Sequence, residues 1–272
     1  AKPQQLNRLI GALQHPDADF YVHLDLKTDI GPFIKIITEK NVVFVKKRVD
    51  VRWGAYRMVQ ATLNGFEEIL ASGKTYGYVN LLSGQDYPLQ KTESLHRFLD
   101  LNYPKQYMEF YSIEEEWQEA IPRLTQYHLI HFDIPAKFTL EKWLNKLLPP
   151  RKMPEGWIAV GRSQWFTITL DAVSYVVGYL RKNSRAVQFF KLTWGVDELI
   201  FQTLLYNSPF KTDSINDNLR YIDWSEGKSS PKTLTMSDEK ALMDSGKFFA
   251  RKFNAEVDES ILNYLDQKRL ET

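Results

Sequence analysis

Apolar residues recur along the chain with two periods, one typical of helices and one of short strands. Helical spacing predicts helices over 4–13 and 53–70. Short apolar runs bounded by turn residues predict strands over 20–24, 41–45 and 76–82. Strands that alternate with helices are typical of an α/β domain, with a central, mostly parallel sheet flanked by helices.

The second half of the chain continues this alternation. A strand is predicted over 157–170, and helices are predicted over 171–182 and 197–205. Asp171 is the predicted N-cap of the first of these helices. We find no internal repeat and no low-complexity tract, so a single domain over 1–272 is the simplest interpretation.

Loops at the carboxyl ends of parallel strands are where ligands usually bind in such domains. Two acidic segments follow predicted strands in this way, one at Asp25 and one at Asp86. The sequence therefore predicts a ligand site near both carboxylates.

Charge and composition narrow the classes of function. The chain has 35 basic and 34 acidic residues, and this balance argues against nucleic acid as the main partner. It has no cysteine, which excludes disulfides and thiolate metal sites and fits a reducing compartment such as the cytoplasm. No apolar run approaches the roughly 20 residues of a membrane span, so we expect membrane association to be peripheral at most.

Metal-binding patterns are weak. His128 and His131 are three residues apart but have no partner motif around them. The string Asp17-Ala18-Asp19 has the D-x-D form of a manganese site, yet it precedes its strand rather than following it. We interpret it as turn chemistry and predict no metal site.

Glu198 is the carboxylate with the best placement for chemistry. It shares a predicted helical stripe with Phe201 and Leu205, where a general base would be partly shielded from water. The alternative is an ordinary first-turn acid that the helix dipole favours, with Asp197 as the cap. We find no second acid that pairs with Glu198 as in a glycoside hydrolase.

Two cations and two tryptophans could complete a site. Arg220 and Lys252 lie beside aromatic residues, where a less solvated cation binds phosphate more strongly. Trp53 precedes a helix and could stack on a base or a sugar, and Trp165 lies in a turn-like G-R-S-Q-W segment. The alternatives are surface cations that extend over apolar neighbours and tryptophans of the core.

Taken in order, several segments resemble the core-2/I-branching glycosyltransferase family, which includes β-1,6-N-acetylglucosaminyltransferases and peptide O-xylosyltransferases. They span 20–253 and read F-Y-V-H-L-D-L-K, R-V-D-V-R-W-G-A-Y-R-M-V-Q-A, Y-V-N-L-L-S-G-Q-D-Y-P-L, G-R-S-Q-W-F-T-I, V-D-E-L-I-F-Q-T-L and S-G-K-F-F-A-R-K-F. The S-G-Q-D-Y-P-L and D-E-x-x-x-x-T segments are the most specific.

The resemblance implies a GT-A type fold without a working D-x-D, and transfer with inversion and without a divalent metal or other cofactor. It implies that Glu198 is the catalytic base. Arg220 and Lys252 would hold the diphosphate of UDP, and Asp25 and Trp53 would contact the uridine.

On the acceptor side, the resemblance gives weaker assignments to Glu109 and Trp165. The family's first strand would precede Ala1. The animal enzymes are Golgi proteins with disulfides, so a chain without cysteine resembles a cytoplasmic bacterial member. The Trp-containing acceptor loop of the animal branching enzymes has no clear counterpart between Pro209 and Arg220.

The sequence thus predicts an inverting, metal-independent enzyme that moves N-acetylglucosamine or xylose from a UDP-sugar to an acceptor hydroxyl, in bacterial surface-glycan synthesis. Its partners would be that donor and a glycan or other hydroxyl-bearing acceptor. The alternative is a catalytically silent carbohydrate-binding protein that uses the same groove.

Overall fold

Three small β-sheets and the helices packed around them make up the structure, a computed structural model that describes residues 2–271. The helices are α1 (Pro3–Ala12), α2 (Gly31–Ile36), α3 (Tyr56–Ala71), α4 (Thr92–Leu101), α5 (Ile121–Thr125), α6 (Lys137–Leu147), α7 (Leu170–Lys182), α8 (Ser184–Lys191), α9 (Ile200–Tyr206), α10 (Glu239–Asp244) and α11 (Ser260–Glu271). The strands are β1 (Phe20–Val22), β2 (Val42–Phe44), β3 (Tyr78–Asn80), β4 (Asp86–Pro88), β5 (Gln106–Ser112), β6 (Val160–Thr169), β7 (Ser214–Asn216), β8 (Arg220–Ile222) and β9 (Phe249–Arg251).

The sheets are mixed rather than mostly parallel. One sheet has the order β3-β6-β5-β7, a second is β4-β9-β8, and β1 pairs with β2. Within the described residues, β1–β2, β5–β7 and β8–β9 are parallel, whereas β3–β6, β5–β6 and β4–β9 are antiparallel. The α/β class is confirmed, and the expectation of a mostly parallel sheet is wrong. Strand direction depends on how the chain returns to the sheet, and local patterning does not report it.

Two apolar clusters hold these sheets against their helices. The first joins α1 and α11 to β4 and β9, and its most buried members include Phe249 and Phe253. The second joins α3, α7 and α9 to β6, with Phe166 and Phe201 at its centre. The sheet of β4, β8 and β9 therefore packs on a different apolar cluster from β6, and Tyr107 of β5 joins that first cluster.

The helical periodicity predicted the existence and the buried face of α3 correctly. Its buried residues recur at helical spacing, and they are Tyr56, Val59, Leu63, Asn64, Phe66 and Ile69. The helix begins at Tyr56, three residues later than predicted. Gly54 has φ +71°, so the chain turns there and leaves Trp53 outside the helix.

The predicted cap of α7 is wrong. Thr169, not Asp171, is the N-cap, since its Oγ1 accepts a hydrogen bond from the amide of Ala172 at 3.3 Å. Asp171 lies exposed in the first turn.

The predicted helix over 197–205 divides in two. A 3-10 turn spans Val196–Glu198, Leu199 leaves helical geometry, and α9 begins at Ile200. Glu198 therefore lies on a turn before the helix rather than on a helical stripe.

The D-x-D string lies in and after a turn, before β1. Its second carboxylate, Asp19, accepts hydrogen bonds from the hydroxyl of Tyr76 at 2.6 Å and from Lys74 Nζ at 2.7 Å. Of the helices in residues 2–271, none combines the length and the apolar character that crossing a membrane requires.

Candidate active site

Glu198 occupies a turn that is shaped by a glycine. Gly195 precedes the turn with φ +64°, a conformation that favours glycine. A Cβ at this position would lie 2.7 Å from Arg123 Nη1, so glycine also makes room for that guanidinium. The side chain of Glu198 retains 34% of its exposure. Its carboxylate is therefore held in place and still reaches solvent.

Arg123 of α5 is the group that holds this carboxylate. Its Nη1 donates to Glu198 Oε2 at 2.7 Å. The guanidinium carbon lies 4.7 Å from the ring centre of Trp117 and 4.4 Å from that of Trp194. Cation–π contacts with two indoles and a charge-assisted hydrogen bond restrict both side chains. Sequence analysis missed Arg123, because α5 is only one turn long and no motif marks it.

β6 supports the same turn from the other side. A Cβ on Gly161 would overlap the carbonyl oxygen of Glu198 and lie 2.7 Å from Leu199 Cδ2. Glycine is thus required for the close approach of the two backbones. The G-R-S-Q-W and V-D-E-L-I segments, separate in sequence, are neighbours in the fold.

Asp197 is buried beside Glu198. It keeps 6% of its exposure, and its Oδ1 has no hydrogen-bond partner among the described residues. Burial, and secondarily the charge of Glu198, raises the pKa of Asp197 to about 7. The predicted role of Asp197 as a helix cap is wrong, because it lies within the 3-10 turn and caps no helix.

A bulge between β5 and β6 directs a second carboxylate toward the site. Met108 pairs with Phe166, but Phe110 pairs with Arg162, so Glu109 alone faces residues 163–165. Bulges of this kind re-aim side chains beside functional sites. The G-R-S-Q-W segment is therefore a bulged strand rather than a turn.

Glu109 belongs to the surroundings of Glu198. Asn218 Nδ2 donates to Glu109 Oε2 at 3.0 Å and lies 3.2 Å from Ser163 Oγ. Burial raises the pKa of Glu109, and the charges of Asp217 and, to a smaller extent, Glu198 raise it further, against the opposing charges of Arg162 and Lys247. Glu109, which the resemblance assigns to the acceptor side, is thus within electrostatic range of Glu198. Glu109 and Glu198 are 89 residues apart in the chain, so no local pattern could have paired them.

Trp53 reaches the same site through Trp194. Trp53 is 63% exposed, and its ring centre lies 5.4 Å from that of Trp194 in an edge-on arrangement. The amide of Gly195 donates to the carbonyl of Gly54 at 2.8 Å, which fastens the two loops together. Trp53, Trp194, Arg123 and Glu198 form a continuous chain of contacts.

Asp25 lies in the loop after β1. Its Oδ1 accepts from the amide of Lys27 at 2.9 Å, and its Oδ2 is 3.4 Å from Lys27 Nζ. Arg48 donates to the carbonyl oxygens of Leu24 and Asp25 and so anchors the loop. These partners include no other predicted site residue, so the structure does not join Asp25 directly to Trp53.

Arg220 is buried rather than available. It is 4% exposed, and its Nη2 donates to the carbonyls of Leu81 at 2.7 Å and Phe166 at 3.2 Å. It also donates to the side chain of Asn80 and to the carbonyl of Asn218. Burial lowers its pKa to about 10. In this arrangement its guanidinium binds the protein's own carbonyls and offers little to a ligand.

Asp86 is also interior, contrary to the ligand-facing position predicted for it. Its side chain is fully buried, and its Oδ1 accepts from Ser83 Oγ at 2.8 Å and lies 3.3 Å from Arg251 Nε. The guanidinium of Arg251 stacks 4.0 Å from the ring centre of Trp165. Trp165 is itself buried, and its ring contacts Arg251 inside the protein. The S-G-Q-D segment thus positions a cation.

Lys252 differs from both arginines. It is half-buried, its Nζ has no carboxylate partner within the described residues, and it donates to Ser230 Oγ at 3.0 Å. A hydroxyl partner leaves the positive charge unneutralised. Lys252 is therefore better placed than Arg220 to meet an anion.

A separate cavity of about 770 Å³ lies between α1, α4 and α11. Its lining includes Arg8, Tyr87 and Arg269 but none of the predicted site residues. Within residues 2–271, no three His, Asp or Glu side chains cluster as metal ligands do. Metal independence stays a prediction.

Comparison with known proteins decides the family. The sequence profile of the Core-2/I-Branching enzyme family matches residues 2–243. The chain belongs to the Core-2/I-Branching enzyme family. The mixed α/β architecture is consistent with the GT-A-like fold of that family.

Curated relatives extend this result. The chain is similar to a xylosyltransferase of Ciona intestinalis, at 24% identity over 97% of this chain and 32% of the relative. It is similar to xylosyltransferase 2 of Rattus norvegicus, at 27% identity with the same coverage, and to that of Homo sapiens at 26%. The chain thus spans about a third of the length of these relatives. Family and relatives support a glycosyltransferase, an enzyme that transfers a sugar.

Proposed function

We propose that this Core-2/I-Branching family domain is an inverting glycosyltransferase that uses a UDP-sugar and no divalent metal. The observation that carries the proposal is the partly exposed carboxylate of Glu198, which Arg123 holds through a hydrogen bond of 2.7 Å. A carboxylate that is held in place and still reaches solvent can accept the proton of an acceptor hydroxyl as a general base.

In the proposed reaction, the acceptor hydroxyl gives its proton to Glu198 as its oxygen attacks the anomeric carbon of the donor. The bond from that carbon to the UDP oxygen breaks in the same displacement, and the leaving electron pair stays on the diphosphate. Configuration at the anomeric carbon is inverted. Arg123 is a positioning residue in this scheme, because it contacts the base rather than the substrate.

Lys252 would stabilise the charge that grows on the departing diphosphate. Its ammonium is half-buried and, within residues 2–271, has only the hydroxyl of Ser230 as partner, which supports this role. We assign to Arg220 a different role from that of Lys252. It would act from the interior by holding Asn218, and through Asn218 it would orient Glu109.

Asp25 and Trp53 are the proposed contacts for the uridine, and Glu109 for the acceptor. The exposed ring of Trp53 supports stacking on a flat base. Trp165 would act on the acceptor side only through Arg251, on which it stacks.

The donor is UDP-xylose or UDP-N-acetylglucosamine, and the names of the relatives favour xylose. We further propose a bacterial, cytoplasmic setting in surface-glycan synthesis, supported by the absence of cysteine from the chain. Hydrolysis of each UDP-sugar in the absence of acceptor would separate the two donors.

Calorimetric titration with UDP, first in EDTA and then with manganese, tests the proposal. We expect binding of equal strength in both buffers, and loss of affinity in Lys252→Met. Binding that appears only with manganese would contradict metal independence.

The exposed Trp53 also supports the alternative, a carbohydrate-binding protein without catalysis. Such a protein would bind glycans, would not bind UDP, and would be unaffected by Lys252→Met. UDP binding by the wild-type protein argues against it.

A further inference from the structure

Helix α6 has an outer surface unlike the rest of the molecule. None of its residues is buried. Of the nineteen large hydrophobic side chains that are exposed in residues 2–271, six lie between 134 and 148. Phe138 is 65% exposed, Trp143 55% and Leu147 71%. A concentration of this kind marks an interaction site.

The inner side of α6 is firmly attached. Glu141 Oε2 accepts from the amide of Leu129 at 2.8 Å, and Asn145 exchanges hydrogen bonds with the backbone of Tyr127 at 2.7 and 2.9 Å. Glu141 and Asn145 are four residues apart and so share one helix face. The helix is therefore fixed to the protein by its polar face, and its orientation is set.

The opposite face divides into an apolar and a basic stripe. Trp143 is two residues beyond Glu141, about 200° around the helix, and therefore points away from the protein. Leu140 and Leu147 flank Trp143 at spacings of three and four. Lys142 and Lys146 form a parallel stripe beside them. Leu140, Trp143, Leu147, Lys142 and Lys146 together are called the α6 surface.

The charge of the α6 surface is uncompensated. Neither Lys142 nor Lys146 forms an ion pair within the described residues, although Lys146 Nζ lies 5.6 Å from the ring centre of Trp143. The acid of the helix, Glu141, points inward and is engaged there. The positive charge thus faces the same way as the apolar side chains.

This combination distinguishes between kinds of partner. The cores of protein interfaces are depleted of lysine. A helix with aromatic and leucine side chains beside lysines is typical of elements that lie in the headgroup region of a membrane. Anionic headgroups complement the lysines, and the rings and leucines enter the boundary of the acyl chains.

We propose that the α6 surface rests on a bilayer that contains anionic phospholipid. Lys142 and Lys146 contact lipid phosphates, and Trp143 and Leu147 insert between the headgroups. The domain then lies on the membrane without spanning it.

The membrane would adjoin the proposed active site. The segment that leads from α5 to α6 begins just after Arg123, and it carries Asp133. Asp133 pairs with Arg52 and, at 2.6 Å, with Arg57, on either side of Trp53. The Trp53 edge of the site is therefore connected to the element that carries the α6 surface.

Co-sedimentation with vesicles tests the proposal. The probes are vesicles of phosphatidylcholine alone and vesicles of phosphatidylcholine with phosphatidylglycerol, each at low and at high salt. We expect binding to the anionic vesicles only, weakened by salt. Trp143→Glu and the double variant Lys142→Glu/Lys146→Glu should each bind at least about tenfold more weakly.

Trp224→Glu is the matched control, because Trp224 is 53% exposed but lies far along the chain from α6. It should bind vesicles like the wild type. UDP binding by each variant reports whether the rest of the domain is intact, and it tests the proposed function separately.

Equal binding of wild type and Trp143→Glu, equal binding to both kinds of vesicle, or no binding of the wild type would each overturn the proposal. So would a wild-type dimer that Trp143→Glu dissociates, since the α6 surface would then join two copies of the chain.

Discussion

The two sides of the candidate site are built in different ways. On the carboxylate side, Glu198 and Glu109 come from a turn and a bulge, and Glu198 still reaches solvent. On the cation side, Arg220 and Arg251 come from β8 and β9 and lie buried against carbonyls, Asp86 and Trp165. The carboxylate of Glu198 is thus open to a ligand, whereas the two guanidiniums are engaged inside the protein. Lys252 differs from them, because the partner of its ammonium is a hydroxyl, and our proposal for the cation side rests on it.

The strongest test of the carboxylate side is Glu198→Gln. The amide keeps the shape of the side chain but cannot accept the proton, so turnover should fall by about 10²–10⁴. The Kd for UDP should stay unchanged in calorimetry. Glu115→Gln, at an exposed acid two residues before Trp117, is the control and should be fully active. Normal turnover by Glu198→Gln would falsify its role as the base.

Substitution by methionine at Arg220 and at Lys252 tests whether the two cations of the site have different roles. Arg220→Met should lower the free energy of unfolding by about 3–5 kcal/mol, because several buried carbonyls lose their donor. Lys252→Met should leave stability unchanged and weaken UDP binding. Chemical denaturation and calorimetry measure the two effects. If Arg220→Met folds normally and only loses UDP, the proposed division between the cations is wrong.

The raised pKa of Asp197 predicts how the stability of the protein depends on pH. Its pKa is about 7 when folded and near 4 when unfolded, so the unfolded state ionises first as pH rises. Stability from this group is therefore lost between about pH 4 and pH 7. Asp197→Asn should become more stable than the wild type above pH 7, by at most about 4 kcal/mol.

Denaturation at pH 5 and pH 8 measures this effect. Asp244→Asn, at an exposed position, is the control and should show little change between the two conditions. A constant difference between Asp197→Asn and the wild type at both values would contradict the argument.

Arg123→Met should have the smallest effect. Loss of one charge-assisted hydrogen bond to Glu198 should lower kcat about tenfold, with KM and UDP affinity nearly unchanged. Arg123→Lys should recover part of kcat, since it restores a cation beside the carboxylate. A rise in KM without loss of kcat would mean that Arg123 contacts substrate and does not position the base.

Local patterns in the sequence were sufficient for most elements of the fold. The helical stripe of α3 and the runs that become β1, β2 and β3 were identified because burial on one face leaves a period in the chain. The family was identified because its motifs recur in order. Boundaries were less certain, as at α7, where the competition between Thr169 and Asp171 for the cap depends on backbone geometry.

Strand direction, the bulge opposite Glu109 and the burial of Arg220 were decided only by the tertiary structure. Arg123 and Glu198 are 75 residues apart, and their contact exists because Gly161 and Gly195 allow close approach. The sequence by itself determined which residues could carry charge and which segments would be regular. Whether a charged side chain is engaged inside the protein or stays accessible to a substrate depends on its neighbours in space. Those neighbours come from distant parts of the chain.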